Sequence, residues 1–99
     1  MADQIPGVAD LDRLDAVFGA LSHRTRRAIL VRLMAHGGPQ TSGAIAGRME
    51  HSWQTTSRHL RILEEAGLIS VGLQGRERVY TLNAGHMTAL LQDWISRFS

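Results

Sequence analysis

The spacing of apolar residues changes once along the chain, at Gly67. Before Gly67 the apolar residues recur every three or four positions, which is the period of an amphipathic helix. From 68 to 82 they alternate with a period of about two, as in strands, and Gln74-Gly75-Arg76 interrupts the alternation as a turn. This order predicts helices followed by a β-hairpin, and therefore an α+β fold that is mainly α.

Four helices are predicted before that point and one more after the hairpin. Thr41 or Ser42 can cap the short third helix, Ser52 can cap the fourth, and Gly67 supplies a left-handed stop after it. Two helices joined by a turn of about three or four residues are typical of a helix-turn-helix. The predicted helices span residues 9–21, 24–35, 42–49, 52–66 and 86–98.

The chain length predicts a single domain over residues 1–99, with residues 1–8 flexible. A domain of this size buries only roughly 60–65% of the surface that its unfolded chain exposes, so a second chain can add stability. The sequence has no apolar run near 18 residues and no charged-then-apolar leader. We therefore expect no membrane partner and a cytoplasmic location.

The last predicted helix carries a wide apolar stripe at i, i+3, i+4, i+7, i+8 and i+11, counted from Met87. This stripe can cover the core of its own domain, but so small a domain has little core left to cover. We expect the first and last helices to form the seam of a homodimer instead. The predicted interface residues are Leu14, Phe18, Met87, Leu90, Leu91, Trp94, Ile95 and Phe98.

Positive charge is concentrated in the middle of the chain. Residues 21–61 carry seven arginines against one glutamate, a net charge of +6, whereas residues 1–20 carry −3 and residues 62–99 carry −1. All eleven basic residues are arginine, whose planar donors suit phosphates and guanine edges. Codon bias in a GC-rich genome also accounts for the missing lysine, but the basic block favours a nucleic-acid partner.

The fourth predicted helix has two different sides. A helical projection places Thr56, Leu60 and Leu63 on the buried side, which His59 and Ala66 extend. The outward side carries groups that can pair with base edges in a major groove, and the helix N-terminus suits a phosphate. A merely solvated polar face is the alternative. The outward residues are Gln54, Ser57, Arg58, Arg61 and Glu65.

The predicted hairpin has arginines at its tip. Arg76 and Arg78 flank Glu77, and alternate residues of a strand share a face. With Gly75 allowing the turn, the two arginines can contact a DNA backbone or a minor groove. Alternatively the tip is only solvated, and Glu77 is the salt-bridge partner of the arginines.

Three stretches of the sequence form a recognisable pattern: ALSHRTRRAIL at 20–30, SRHLRILEEAGLI at 57–69 and GRERVYTL at 75–82. Together they resemble the ArsR-type (arsenic-repressor-like) winged-helix transcriptional regulators. The resemblance implies a winged helix-turn-helix homodimer that binds double-stranded DNA at a near-palindromic operator, usually as a repressor that an effector releases. Carried over by position, the DNA-reading residues are Ser52, Trp53, Gln54, Thr55, Ser57, Arg58 and Arg61, with Arg76 and Arg78 on the wing.

The sequence also departs from that family's pattern. His23-Arg24 stands where Asp-Pro is frequent, so the second helix is expected to lack that cap. The cysteine pairs and the paired Asp and His ligands of the metal-sensing members are absent. The five histidines show no HxxH or HxxxH spacing, so we expect no metal site and no cofactor, and the sequence names no effector.

Two other classes of function can be weighed against DNA binding. A winged-helix module that binds a protein partner through its last helix is the alternative, because a fold does not determine a function. An enzyme is not expected, since the chain has no cysteine, no Ser-His-Asp order and no phosphate-binding glycine loop, and the adjacent carboxylates Glu64-Glu65 lie at a helix end and do not form a catalytic pair.

Trp53 stands where that family more often has a small or amide side chain, one position inside the fourth helix. In projection it lies at the border between the buried and the outward side. We expect its ring to pack partly on its own domain and to reach the phosphate backbone or a thymine methyl with one edge.

Overall fold

The structure, a computed structural model, describes Ile5 and residues 7–99. Most of the segment 1–8 that was expected to be flexible lies outside these residues, and a short 3₁₀ turn at Val8–Asp10 leads into the first helix. The described residues form five α-helices: α1 Leu11–Leu21, α2 Arg24–His36, α3 Ser42–Ala46, α4 Trp53–Glu65 and α5 Ala84–Ser96. They also form three strands: β1 Gln40–Thr41, β2 Ile69–Gln74 and β3 Glu77–Leu82. The predicted α+β class is confirmed.

Side chains fix the starts of three helices. Thr41 caps α3 and Ser52 caps α4, each through a hydroxyl oxygen that accepts a backbone N–H three residues ahead. Helix α2 begins without the Asp-Pro cap that is frequent in the family, but a different residue caps it. Nδ1 of His23 accepts the backbone N–H of Thr25 at 3.2 Å, so an imidazole nitrogen takes the place of a carboxylate oxygen.

The end of α4 shows why the hydrophobic period changes at Gly67. This glycine has φ 78°, and its N–H donates to the carbonyl of Glu64 at 2.9 Å. The next N–H, that of Leu68, donates to the carbonyl of Leu63 at 3.0 Å. These two bonds define a Schellman motif, which reverses the chain directly into β2.

The sheet is antiparallel, with strand order β1-β3-β2. Strands β2 and β3 are the predicted hairpin. The sequence did not predict β1, which pairs Gln40 with Tyr80 and Thr41 with Val79. A strand of two residues is too short to show any alternation, so only its pairing with β3 defines it.

A single core lies between the helices and the inner face of the sheet. Helix α4 contributes Leu60 and Leu63, which are fully buried, and α1 and α2 pack their apolar stripes against them. The buried apolar residues are Leu14, Val17, Ala20, Ile29, Leu30, Leu33, Ile45, Leu60, Leu63, Ala66, Leu68, Ile69, Tyr80 and Leu90.

Candidate nucleic-acid interface

The side of α4 that was expected to face outward does so. Thr56, His59, Leu60 and Leu63 form its buried side, as the helical projection predicted. The polar residues on the other side remain available to a partner. Of the residues predicted to read DNA here, Ser52, Trp53, Gln54, Arg58 and Arg61 are exposed, whereas Thr55 and Ser57 are half-buried.

The N-terminus of α4 is capped by side chains. Oγ of Ser52 accepts the N–H of Thr55 at 3.2 Å and its hydroxyl donates to Oγ1 of Thr55 at 3.1 Å, so both side chains take part in the cap. The N–H groups of Trp53 and Gln54 lie in the first turn and have no partner inside the helix. Together with the positive end of the helix dipole, they suit a phosphate.

Trp53 is not a core residue. Its side chain is 46% exposed at the first position of α4. This placement excludes a fully buried role, and it agrees with the expected position at the border between the core and the outward side.

The wing is the hairpin of β2 and β3. Gly75 has φ 65° and no described non-glycine residue has positive φ, which is the pattern of a two-residue turn with glycine first. Arg76 lies in this turn and Arg78 lies opposite Leu73 on β3, both exposed. Within the described residues neither arginine lies within 4.0 Å of a carboxylate, so the alternative in which Glu77 pairs with them is not supported.

Two arginines of the basic segment 21–61 stabilise the fold and are not free for a partner. Nε of Arg26 donates to the carbonyl of Ala20 at 2.8 Å, and a second nitrogen donates to that of Gly19 at 3.1 Å. Arg27 donates to the carbonyl of Leu21 at 2.8 Å. Cations here satisfy carbonyls at the C-terminus of α1 and interact favourably with its dipole, so these two side chains join α1 to α2.

A cluster of three histidines lies beside α4, and the sequence did not predict it. The rings of His23 and His59 are 4.7 Å apart between centroids, and those of His51 and His59 are 6.2 Å apart. A guanidinium nitrogen of Arg26 lies 3.2 Å from Nδ1 of His59. Oγ1 of Thr25 lies 3.1 Å from Nε2 of His51, which joins α2 to the turn before α4.

The surroundings of His59 oppose a positive charge on its ring. An arginine can only donate, so Nδ1 of His59 accepts from Arg26 and the ring proton of the neutral form is on Nε2. Burial lowers the pKa of His59 below its ordinary value of 6.5, and the nearby charges of His23, Arg26, His51 and Arg58 lower it further. The cluster is therefore most stable with His59 neutral.

Helices α1 and α5 carry aromatic side chains that lie together and are partly exposed. The rings of Phe18 and Trp94 meet edge to face with centroids 6.0 Å apart, and those of Trp94 and Phe98 meet at 4.9 Å. Phe18 is 44% exposed, Ile95 57% and Phe98 73%. Met87, Leu91 and Trp94 are half-buried and pack against the core.

Two of the residues predicted for the dimer interface lie elsewhere. Leu14 is 1% exposed and Leu90 is 9% exposed, so both belong to the core of the single chain. They occupy the inward edge of the two stripes, where α1 and α5 pack on the rest of the domain. Such side chains have little surface left for a second chain to cover.

Neither a metal site nor a membrane-spanning helix is found among the described residues. No group of three or more His, Cys, Asp or Glu side chains among them is placed to hold a metal ion. No helix within the same residues is long and apolar enough to cross a membrane.

The helix-turn-helix domain family matches residues 21–72, from the end of α1 into β2. The match covers more than half of the chain, and it includes the turn and both helices of the motif. The fold and this match define the class: a helix-turn-helix protein with a β-hairpin wing.

Comparison with individual proteins identifies the family within this class. The chain is 41% identical over 83 residues to the transcriptional repressor SdpR of Bacillus subtilis, covering 84% of this chain and 86% of the relative. It is 30% identical to the crystal structure of an ArsR family transcriptional regulator, with a TM-score of 0.76 and coverage of 87% and 86%. The protein belongs to the ArsR family of winged helix-turn-helix transcriptional regulators, as the three sequence stretches predicted.

A third relative is known as a dimer. A solution structure of a homodimeric winged helix-turn-helix DNA-binding domain from Mycobacterium bovis, a possible ArsR-family regulator, is 27% identical. Its TM-score is 0.73, and the match covers 89% of this chain and 82% of that one.

Proposed function

We propose that the protein represses transcription by binding double-stranded DNA as a homodimer. The observation that carries this is the outward side of α4, which is exposed, bears Arg58 and Arg61, and begins at a capped N-terminus. A helix of this kind fits a major groove. SdpR is named a repressor, and the Mycobacterium bovis domain is described as a homodimer that binds DNA; both descriptions support the proposal.

The roles of the DNA-reading residues follow from their positions. Gln54, Ser57, Arg58 and Arg61 lie on one side of α4 and are assigned to base edges, because amide and guanidinium groups pair with adenine and guanine. Ser52, Trp53 and Thr55 surround the N-terminus of α4 and are assigned to the DNA backbone. Arg76 and Arg78 are assigned to phosphates or the minor groove beside the wing.

Selection of duplexes from a random pool would define the operator, and fluorescence anisotropy would then compare it with a scrambled duplex. We expect the wild-type protein to prefer the selected sequence. Arg58→Ala should reduce that preference, by about 1–3 kcal/mol for a base contact. Arg76→Ala should weaken binding to both duplexes by the same factor. Arg13→Ala, which removes a charge from α1, is the control. A wild-type protein that binds both duplexes equally at moderate salt contradicts the proposal.

The dimer is assigned to the exposed apolar side chains of α1 and α5, with Phe18, Ile95 and Phe98 at its centre. A two-fold dimer places its α4 helices in successive major grooves, about 34–36 Å apart. Ile95→Glu puts a charge in this surface and should give a folded monomer by light scattering. Val31→Glu is the matched control, since Val31 is equally exposed, at 57%, on α2. A dimer that survives Ile95→Glu excludes this surface.

Trp53 provides an optical test of its assigned contact. With Trp94→Phe present to remove the second tryptophan, the emission of Trp53 should change when the selected operator is added. A scrambled duplex at the same salt serves as the control. Unchanged emission on specific binding would remove Trp53 from the interface.

A protein-interaction module remains the second candidate, with the exposed aromatic residues of α5 as its surface. Light scattering separates the two, because a stable homodimer covers that surface and a monomer leaves it open. The family to which the chain belongs favours the regulator, which acts by binding and not by catalysis.

A further inference from the structure

An open hollow lined with arginines lies between α2 and the turn that leads into α4. Its volume is about 410 Å³. Helix α2 contributes Arg24 and Arg32, and the turn contributes Arg48, Glu50 and His51. All five side chains are exposed.

The three arginines of this hollow do not use their donors within the protein. In the part of the chain that the structure describes, none of their guanidinium groups lies within 4.0 Å of a carboxylate or donates a hydrogen bond to another group. The guanidinium groups of Arg26 and Arg27, on the same helix, are different because they donate hydrogen bonds to backbone carbonyls. Three guanidinium groups against the one carboxylate of Glu50 give the hollow a net positive charge, and an anion with oxygen acceptors relieves the repulsion among the arginines.

The hollow is continuous with the proposed DNA surface. Its wall, the turn 48–51, leads directly into Ser52, the cap of α4. The contact between Thr25 and His51 at 3.1 Å holds this wall against α2. A DNA strand whose phosphate lies at the N-terminus of α4 therefore passes next to the hollow.

We infer that Arg24, Arg32 and Arg48 bind backbone phosphates of the operator outside the base pairs that α4 reads. The inference rests on the proposed DNA binding and extends its footprint. Phosphate oxygens are the ligand, and DNA is the source that the geometry favours over a small phosphorylated molecule. The lining arginines are exposed around an open surface, and no buried side chain is present among them to hold a small ion.

The salt dependence of operator binding tests this inference. Each phosphate that a cation neutralises contributes about 0.9 to the slope of log K against log salt. Because the proposed dimer carries this hollow twice, Arg24→Ala, Arg32→Ala and Arg48→Ala together remove six cations, which should lower the slope by about 5 and weaken binding roughly 10⁴-fold near 0.15 M salt, for operator and scrambled duplex alike. Removing base pairs outside the half-sites should weaken the wild type and leave the triple variant unaffected.

Two matched variants control for charge. Arg13→Ala removes one positive charge from α1 and should leave the slope unchanged. Glu50→Gln removes the one carboxylate of the hollow and should strengthen binding to both duplexes. Circular dichroism melting and light scattering establish that every variant is folded and dimeric.

The outcomes separate the inference from the function on which it rests. If the wild type does not prefer its selected operator, the proposed function fails. If it does, and the triple variant keeps the wild-type slope and length dependence, only the inference is wrong. Pyrophosphate added without DNA is a further arm: saturable stabilisation that the triple variant loses, with an unchanged DNA slope, assigns the hollow to a small phosphate and overturns the DNA assignment.

Discussion

Lowering the pH below about 6.5 should destabilise this protein through His59. The ring is 5% exposed, its Nδ1 accepts from Arg26 at 3.2 Å, and His23 lies 4.7 Å away between ring centroids. A proton on Nδ1 would remove this acceptor and place a cation beside a guanidinium. The groups whose charge acts on the ring are Arg26 from α2, Arg58 from α4, and His23 and His51 from the segments before those helices.

The sign of the effect follows from the two states of the chain. In the unfolded chain His59 takes up a proton near its ordinary pKa of 6.5, whereas in the folded chain its pKa is lower. Between these pKa values the unfolded state binds more protons, so stability is complete above about pH 6.5 and falls as the pH falls. One such group changes the free energy of unfolding by at most about 1.4 kcal/mol per pH unit.

Urea unfolding at pH 7.5, 6.5 and 5.5, followed by circular dichroism, measures this slope. His59→Asn keeps an oxygen acceptor for Arg26 but cannot take up the proton, so its stability should depend less on pH than that of the wild type. His36→Asn changes an exposed histidine at the end of α2 and should keep the wild-type slope. Equal slopes for the wild type and His59→Asn refute the reasoning.

Other substitutions test the helix ends and the core. Ser52→Ala should lower the free energy of unfolding by about 0.5–2 kcal/mol, because the N–H of residue 55 loses its acceptor; a urea midpoint equal to the wild type's would exclude this role of the cap. Gly67→Ala should lower the free energy of unfolding by more than about 1 kcal/mol, since φ is 78° and the new Cβ lies 3.0 Å from His86. Gly43→Ala is the control: its Cβ meets no atom within 4 Å, so it should be neutral or stabilising. Thermal melts of both variants measure the difference. Leu14→Ala should lower the free energy of unfolding by about 2–5 kcal/mol in chemical denaturation, because Leu14 is buried. A loss below about 1 kcal/mol would contradict its place in the core.

The helices and the wing could be predicted because their signals are local. Ser52 and Gly67 mark the two ends of α4 by their side chain and backbone chemistry, and the apolar spacing between them identifies the buried side. The hairpin follows from alternation around Gly75. Each of these signals lies within about fifteen residues of sequence, which is the range over which periodicity can be read.

The features that were missed depend on contacts between distant residues. His23, His51 and His59 meet only because α2 packs on α4, and no spacing in the sequence relates them. Leu14 and Leu90 have the same period as the exposed members of their stripes. Periodicity identifies an apolar stripe, but tertiary packing decides which edge of the stripe is covered by the chain itself.

The two-residue strand β1 has a mechanical consequence. Thr41 pairs with Val79 of the wing and, through its hydroxyl, caps α3 of the helix-turn-helix. Thr41 therefore ties the wing to the first helix of the helix-turn-helix. We expect a wing held in this way to keep a constant gap to α4, the second helix of the motif. On the proposed DNA, a sequence whose grooves do not match this gap must bend or twist to fit, at an elastic cost that depends on its base steps. The preference of the protein among DNA sequences would then depend also on the flexibility of base pairs that no side chain contacts.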